Sequence, residues 1–343
     1  MTLKEFCDGT RDNQRIQCVL DSPTLDGEVL PFVKFLDDGH TAYNRLHTHS
    51  AWRKHRSLDV QKATSWVLIH QGLYHTYAHH DSDGYSTWTQ VLSGYKFWVI
   101  LRPKSYDSDT NRNQLYDSAN LYMEQTPKKD GFYGQESERT LIYAGPGDII
   151  VMAPGTFHEV FTPVPSVTIG GHLYSYNALH LTELSRSLDK KTDEKFTNTS
   201  HPSSTLTVAL MLAALPLLKD KGMFFCIFIL FYLNYCIVLH QKPLAALCRM
   251  VQHPAAYSPP FQDVDFPAWK LWNKGSKKKT LEDFEFANKV ANSLIKNLKL
   301  SLTVQHYPSK NPEKPDFIFD GLGFHDPGDM VEWSFCVPKL MSK

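Results

Sequence analysis

The chain has 343 residues, of which 42% are hydrophobic and 21% are charged. This balance excludes a disordered chain and a polytopic membrane protein, and the length predicts about two domains. Lys plus Arg and Asp plus Glu both number 36, so the formal net charge is zero. A globally basic nucleic-acid binder is therefore excluded, and we expect no direct sequence-specific binding of nucleic acid.

Cysteine usage and the start of the chain predict an intracellular protein. The six cysteines form no C-x-x-C pair and are too sparse for a disulfide framework, so we expect reduced thiols. The first residues contain no apolar run, so no secretory signal peptide is predicted.

The first half of the chain changes from mixed polar sequence to β structure. Residues 1–64 are predicted to be an N-terminal flanking segment. Short apolar runs separated by turn residues then predict strands at 65–69, 87–92, 95–101, 141–143, 149–152, 157–161 and 166–173. Ser93-Gly94 predicts a hairpin between the second and third strands. Strands this short and close indicate an antiparallel barrel or sandwich, interrupted by a polar surface loop at 103–138.

The second half of the chain has a helical texture. The polar residues 186–204 are predicted to be a linker, and 205–343 a mainly helical C-terminal region. Apolar residues spaced by three and four predict a helix over 280–299, with Thr280 as its N-cap.

One group of residues predicts a metal site. Residues i and i+2 of an extended chain point to the same side, so His79 and Asp81 can face one ion. His158, in an apolar strand after the Pro154-Gly155 turn, can supply a second imidazole. Two histidines and a carboxylate are typical of non-heme Fe(II) oxygenases. A lone H-x-D motif or strand histidine is more often structural, so the prediction depends on the combination.

Six stretches resemble the JmjC family: 79–84, 87–88, 94–98, 101–103, 147–163 and 170–172. The resemblance covers about 65–185, which we interpret as a catalytic barrel. It implies an α+β fold with a double-stranded β-helix (cupin-like) barrel, followed by the helical C-terminal region. It also implies a dioxygenase that depends on Fe(II) and on the co-substrate 2-oxoglutarate. Many members of the family are histone lysine demethylases, and others are protein hydroxylases.

Carried over residue by residue, the resemblance implies that His79, Asp81 and His158 bind Fe(II). It places Thr76 and Lys96 on the distal carboxylate of 2-oxoglutarate. A dicarboxylate in an apolar barrel needs a cation and a hydroxyl donor at its far end. The alternative for Lys96 is an exposed strand lysine, but its aromatic neighbours in the sequence would make an unpaired charge costly.

One position departs from the family pattern. His172 stands where the most similar lysine demethylases are expected to have Asn. It is either a core-facing strand residue, which we favour, or a surrogate ligand or donor beside the metal. His80 is expected to point away from the metal because it lies on the opposite face of the strand from His79.

Three functions remain open from the sequence. The main prediction is a dioxygenase acting on a protein, with a histone lysine demethylase as the favoured activity and a histone and the nucleus as the favoured partner and compartment. The alternatives are a protein hydroxylase of the same family and a catalytically silent JmjC-like interaction module. The intact triad together with Thr76 and Lys96 argues against the silent module.

The apolar segment 223–239 stands apart from its surroundings. It contains no charge and is near the minimum length that spans a bilayer, so a membrane tether is one interpretation. The flanking stretches 206–218 and 244–251 are predicted core helices, and this segment could be another. A third interpretation is a retained intron of about twenty residues. Gly222-Met223 can be encoded by a splice-donor-like GGTATG, and Gln241 by an acceptor-like CAG.

Overall fold

A computed structural model describes residues 3–9, 16–24, 30–46, 58–103, 137–194, 196–197, 199–201, 203–221, 238–257, 274–298 and 330–332. The helices in these ranges are α1 (Leu3–Gly9), α2 (Pro31–Leu36), α3 (Asp38–Leu46), α4 (Leu58–Thr64), α5 (Leu179–Thr192), α6 (Ser204–Lys221), α7 (Gln241–Gln252) and α8 (Lys274–Leu298). The strands are β1 (Cys18–Pro23), β2 (Trp66–His70), β3 (Tyr74–His79), β4 (Ser86–Ser93), β5 (Lys96–Pro103), β6 (Ser137–Ala144), β7 (Ile149–Met152), β8 (Phe157–Thr162), β9 (Ser166–Leu173), β10 (Val238–His240) and β11 (Met330–Glu332).

Two antiparallel sheets form the β region. One has the strand order β1-β2-β9-β4-β7 and the other β3-β8-β5-β6. From β2 to β9 the chain passes to the other sheet at every step except β5 to β6. Trp98 and Val160 from the second sheet pack with Val91 and Met152 from the first, so a shared hydrophobic cluster joins the two inner faces. The chain is thus α+β, with its sheets packed face to face.

The predicted strands all overlap observed ones, but the predicted hairpin is wrong. The turn at Ser93-Gly94 exists, and Gly94 has a φ of +73° that favours glycine. The strands on either side do not pair with each other: β4 pairs with β7 and β9, whereas β5 pairs with β6 and β8. This turn therefore carries the chain from one sheet to the other. Residues 104–136, most of the predicted surface loop, lie outside the described part of the chain.

The polar residues 186–204 do not behave as a linker. Helix α5 continues to Thr192, and both Arg186 and Asp189 are buried. The Arg186 guanidinium donates hydrogen bonds to Ser204 Oγ (3.3 Å) and Thr205 Oγ1 (2.6 Å) at the start of α6. Polar side chains can be buried when they form hydrogen bonds with one another, and composition alone does not reveal such pairs.

The flanking regions also differ from expectation. Within 1–64, β1 pairs with β2 and so extends the first sheet at its edge. In the C-terminal region, which was predicted to be mainly helical, the short strands β10 and β11 pair with each other. Helix α8 begins at Lys274, so Thr280 lies inside the helix and is not its N-cap. Whether 65–185 is a separate domain stays a prediction.

A helical core packs beside the sheets. Helix α6 is apolar on all sides and contacts α3, α7 and α8, which explains why Leu206 to Leu215 are largely buried. Both predicted helices are present, and the described side chains of 206–215 and 244–251 lie largely in this core. Residues 222–237 lie outside the described part, so the structure does not describe most of the apolar segment. Within the described ranges, no helix combines the length and apolarity needed to cross a bilayer.

Candidate metal centre

Two histidines face each other across a strand pair. His79 ends β3 and His158 lies in β8, where the two residues are direct partners in the antiparallel register. Their ring centroids are 4.3 Å apart. Each ring donates its Nδ1–H to a backbone carbonyl two residues earlier: His79 to Tyr77 at 2.7 Å and His158 to Thr156 at 2.9 Å. A carbonyl only accepts hydrogen bonds, so the hydrogen of each neutral ring lies on Nδ1. Each Nε2 therefore keeps a lone pair that can bind a metal.

Asp81 completes the cluster. Ligand atoms of His79, Asp81 and His158 all lie within 4.8 Å of one another. Burial acts to raise the pKa of Asp81, but the surrounding imidazoles, with His158 first, lower it to about 2. Burial and the neighbouring His158 lower the pKa of His79 to about 4. At neutral pH the site therefore offers a carboxylate and an uncharged His79 ring, the forms that bind metals.

The cluster lies in a cavity between the two sheets. The cavity has a volume of about 70 Å³, which is room for several water-sized groups. Apolar side chains on its wall include Trp66, Trp98, Met152 and Val160. The polar residues on its wall are Asp21, His70, Thr76, His79, Asp81, Thr87, Thr89, Lys96, His158, His172 and Thr199. All five residues predicted from the sequence as site residues therefore line one cavity.

Lys96 is a buried cation in this cavity. Its side chain is 1% exposed, and Nζ donates to His70 Nδ1 at 2.8 Å. Among the described residues, no carboxylate pairs with this ammonium group. Burial lowers the pKa of Lys96 to about 7, and burial together with Lys96 lowers the pKa of His70 to about 3. His70 had no predicted role, because nothing in the sequence indicates that it meets Lys96.

His172 faces the cavity without joining the metal cluster. Its Nδ1 lies 2.8 Å from Thr87 Oγ1, and its ring stacks on Tyr85 with centroids 5.4 Å apart. The ring is buried, as expected for a core-facing strand residue, and burial lowers its pKa to about 4. The described ligand cluster contains His79, Asp81 and His158 but not His172. This arrangement favours a structural or donor role over ligation.

His80 points away from the cluster, as predicted. Its ring is fully buried against α5, where Nε2 lies 3.0 Å from Asp189 Oδ1. Burial opposes a charge on this ring, but the Asp189 carboxylate raises the pKa of His80. Asp189 was not predicted to contact this residue, because 186–204 was interpreted as a linker.

Comparison with known proteins gives a partial match. No protein-family model matches the chain. Over 121 residues the chain is 25% identical to JmjC domain-containing histone demethylation protein 1 of Kluyveromyces lactis. The match covers 35% of this chain and 24% of that protein, so it spans about a quarter of the relative's length. This similarity supports the JmjC resemblance over a third of the chain and does not extend to activity or substrate.

Solved structures give weaker likenesses. The Drosophila melanogaster CENP-C cupin domain is 12% identical over 32% of this chain and 61% of its own, with a TM-score of 0.21. Peruvianin-I, a cysteine peptidase from Thevetia peruviana latex, is 12% identical over 33% of this chain and 51% of its own, with a TM-score of 0.21. TM-scores this low establish no shared fold.

Proposed function

We propose that the chain is an Fe(II)- and 2-oxoglutarate-dependent dioxygenase of the JmjC type that acts on a protein. One observation carries the proposal. Two imidazoles with Nε2 free and one carboxylate converge on a single point inside a cavity between two sheets. This donor set suits Fe(II) and leaves further coordination positions open.

The sheet topology supports a double-stranded β-helix for this barrel. Strands β2, β4, β7 and β9 belong to one sheet, and β3, β5, β6 and β8 to the other. A chain that alternates between two facing sheets in this way winds around a central cavity. The metal ligands then lie at the end of β3, just after it, and on its partner β8.

The residues present fit iron as well as they fit any divalent metal of similar size. When bound, Fe(II) would supply the oxygen chemistry that amino-acid side chains cannot. The chain itself supplies fixed ligands, because His79 and His158 are oriented by the carbonyls of Tyr77 and Thr156. Apolar side chains on the cavity wall, such as Trp66, would lower the polarity around the reacting groups.

Lys96 supports a dicarboxylate co-substrate. A buried ammonium group whose described partner is a neutral imidazole is costly, and an anion in the cavity would offset that cost. An ammonium has three donors, so Lys96 can bind a carboxylate while keeping its bond to His70. Thr76 lines the same cavity and can donate its hydroxyl to the same carboxylate. These features fit 2-oxoglutarate, with its distal carboxylate at Lys96.

The substrate class follows from the resemblance. The relative's name points to histone demethylation, and we propose a methylated lysine of a histone or another protein as the substrate, in the nucleus. Hydroxylation of an unmethylated side chain is the alternative within the same chemistry. Both reactions consume 2-oxoglutarate and oxygen and release succinate and carbon dioxide.

Mass spectrometry of peptide pools tests the proposal. The protein is incubated with Fe(II), 2-oxoglutarate and oxygen, together with methylated or unmethylated peptides. A demethylase releases formaldehyde and lowers the mass of the methylated peptides by that of one methylene group. A hydroxylase adds one oxygen and releases no formaldehyde. A wild-type protein that binds Fe(II) and 2-oxoglutarate but changes no peptide and forms no succinate would support the silent interaction module.

A further inference from the structure

The loop that carries Asp81 is bonded to helix α5 at successive turns of the helix. Thr182 Oγ1 donates to the carbonyl of Gly84 at 2.8 Å, and Ser185 Oγ lies 3.3 Å from His80 Nδ1. Asp189 follows one turn later and contacts the same loop. Thr182, Ser185 and Asp189 lie on one face of the helix because their spacing is close to its repeat. The metal-binding loop therefore rests on a single helical face outside the sheets.

The Asp189 carboxylate contacts this loop on both sides of Asp81. Its Oδ1 lies 3.0 Å from His80 Nε2, and its Oδ2 accepts the backbone N–H of Asp83 at 3.1 Å. His80 precedes Asp81 by one residue, and Asp83 follows it by two. Both His80 and Asp189 are buried, so water does not compete for these contacts. One carboxylate thereby fixes the loop before and after the metal ligand.

The backbone of the loop needs such support. Asp83 has a φ of +60°, in the left-handed region that costs a residue with a side chain free energy. The Asp83 carboxylate accepts hydrogen bonds from the His201 N–H at 2.7 Å and from Ser204 Oγ at 3.0 Å. Gly84 follows with a φ of +66°. External contacts therefore maintain this conformation: His201 and Ser204 hold the Asp83 carboxylate, and Asp189 accepts the Asp83 N–H.

We propose that Asp189 is a positioning residue for the metal centre, fixing Asp81 where it can share an ion with His79 and His158. This inference rests on the proposed metal-dependent function. Asp189 is not one of the residues that would hold the ion, since its carboxylate contacts His80 and Asp83 instead. It acts through the loop backbone.

Binding of Co(II), used as a probe for Fe(II), tests the inference on the full chain. Asp189→Asn keeps the size of the side chain and an acceptor for the Asp83 N–H but removes the charge that faces His80. We expect the affinity for Co(II) to fall roughly 10–100-fold, as is typical when a partner of a ligand is removed. We also expect the visible absorption spectrum of bound Co(II) to change, because Asp81 moves relative to the two histidines.

A matched control is Glu159→Gln. It breaks another imidazole–carboxylate pair, His75–Glu159 at 3.4 Å, beside the ligand His158 but on the outer face of the sheet. This variant should keep wild-type Co(II) affinity and spectrum. Circular dichroism at low temperature establishes that each variant is folded. If Asp189→Asn does not fold, His80→Asn, which removes the other half of the same contact, carries the test with the same expected results.

The outcomes separate the two proposals. A folded Asp189→Asn variant with wild-type affinity and an unchanged spectrum overturns the positioning role and leaves the metal site standing. An equal loss of affinity in Glu159→Gln also overturns it, because the effect would not be specific to the loop. A wild-type chain that binds no Co(II) overturns the proposed metal centre and the inference with it.

Discussion

Replacing Lys96 with methionine should stabilise the ligand-free protein while weakening its binding of 2-oxoglutarate. The pKa of Lys96 falls from 10.5 to about 7 on folding because the ammonium group is buried. At about 1.36 kcal/mol per pKa unit, the buried charge costs on the order of 4–5 kcal/mol at pH 7. Methionine removes that cost but leaves His70 Nδ1 without its donor, a loss of about 1–3 kcal/mol. The expected net gain is on the order of 2 kcal/mol.

Urea unfolding of metal-free, ligand-free protein from pH 7 to pH 9 measures this balance. The unfolded lysine keeps its proton up to about pH 10.5, whereas folded Lys96 loses its proton near pH 7. Stability of the wild type should therefore rise with pH, by about 2 kcal/mol relative to Lys96→Met between pH 7 and pH 9. His70, with its pKa near 3, stays neutral throughout this window.

The same variant should bind 2-oxoglutarate roughly 10–150-fold more weakly. This range corresponds to losing one hydrogen bond to a charged group, which contributes about 1.5–3 kcal/mol. Affinity for the metal should change far less. A Lys96→Met protein that is less stable than the wild type at pH 7, with a difference that does not vary with pH, would refute the reasoning about the buried charge. Unchanged dependence on 2-oxoglutarate would remove Lys96 from the co-substrate pocket.

Three further predictions address the site, the packing and the apolar segment. Asp81→Ala should abolish succinate formation with the fold intact, and full turnover would contradict its role. Gly171→Ala should cost about 1–3 kcal/mol in urea unfolding, because a Cβ would collide with the Thr64 carbonyl and the Trp88 indole. An unchanged midpoint would show that this contact relaxes freely. Transcript sequencing tests the retained intron. A mature message that always contains the codons for 222–241, with no splice-site strings at the ends of that stretch, excludes the intron. Membrane fractionation of the full-length protein then tests the membrane tether.

Local sequence predicted the strands because their signals are local. Turn residues such as Pro154-Gly155 and the apolar runs between them determine where a strand starts and stops. The pairing of strands depends on contacts between distant segments, so the connection at Ser93-Gly94 was mistaken for a hairpin. The strand β3 was not predicted, since its histidines and polar residues lack the apolar run typical of a strand.

Part of the candidate site was predictable because side chains two residues apart in an extended chain point to the same side. His79 and Asp81 lie two residues apart, and the structure brings both to His158. The partners of the buried polar groups were not predictable in the same way. His70 meets Lys96 from another sheet, and Asp189 meets His80 from a helix read as a linker. Such pairs depend on tertiary packing, which no local pattern records.

Equilibrium dialysis against Fe(II) without oxygen, followed by metal analysis, tests the central claim most directly. The wild-type chain should retain one Fe(II) per molecule, and His158→Ala should retain almost none while remaining folded. His158 is the informative position because it comes from a different strand than His79 and Asp81. Equal retention of iron by the wild type and His158→Ala, or no retention by the wild type, would contradict the metal centre.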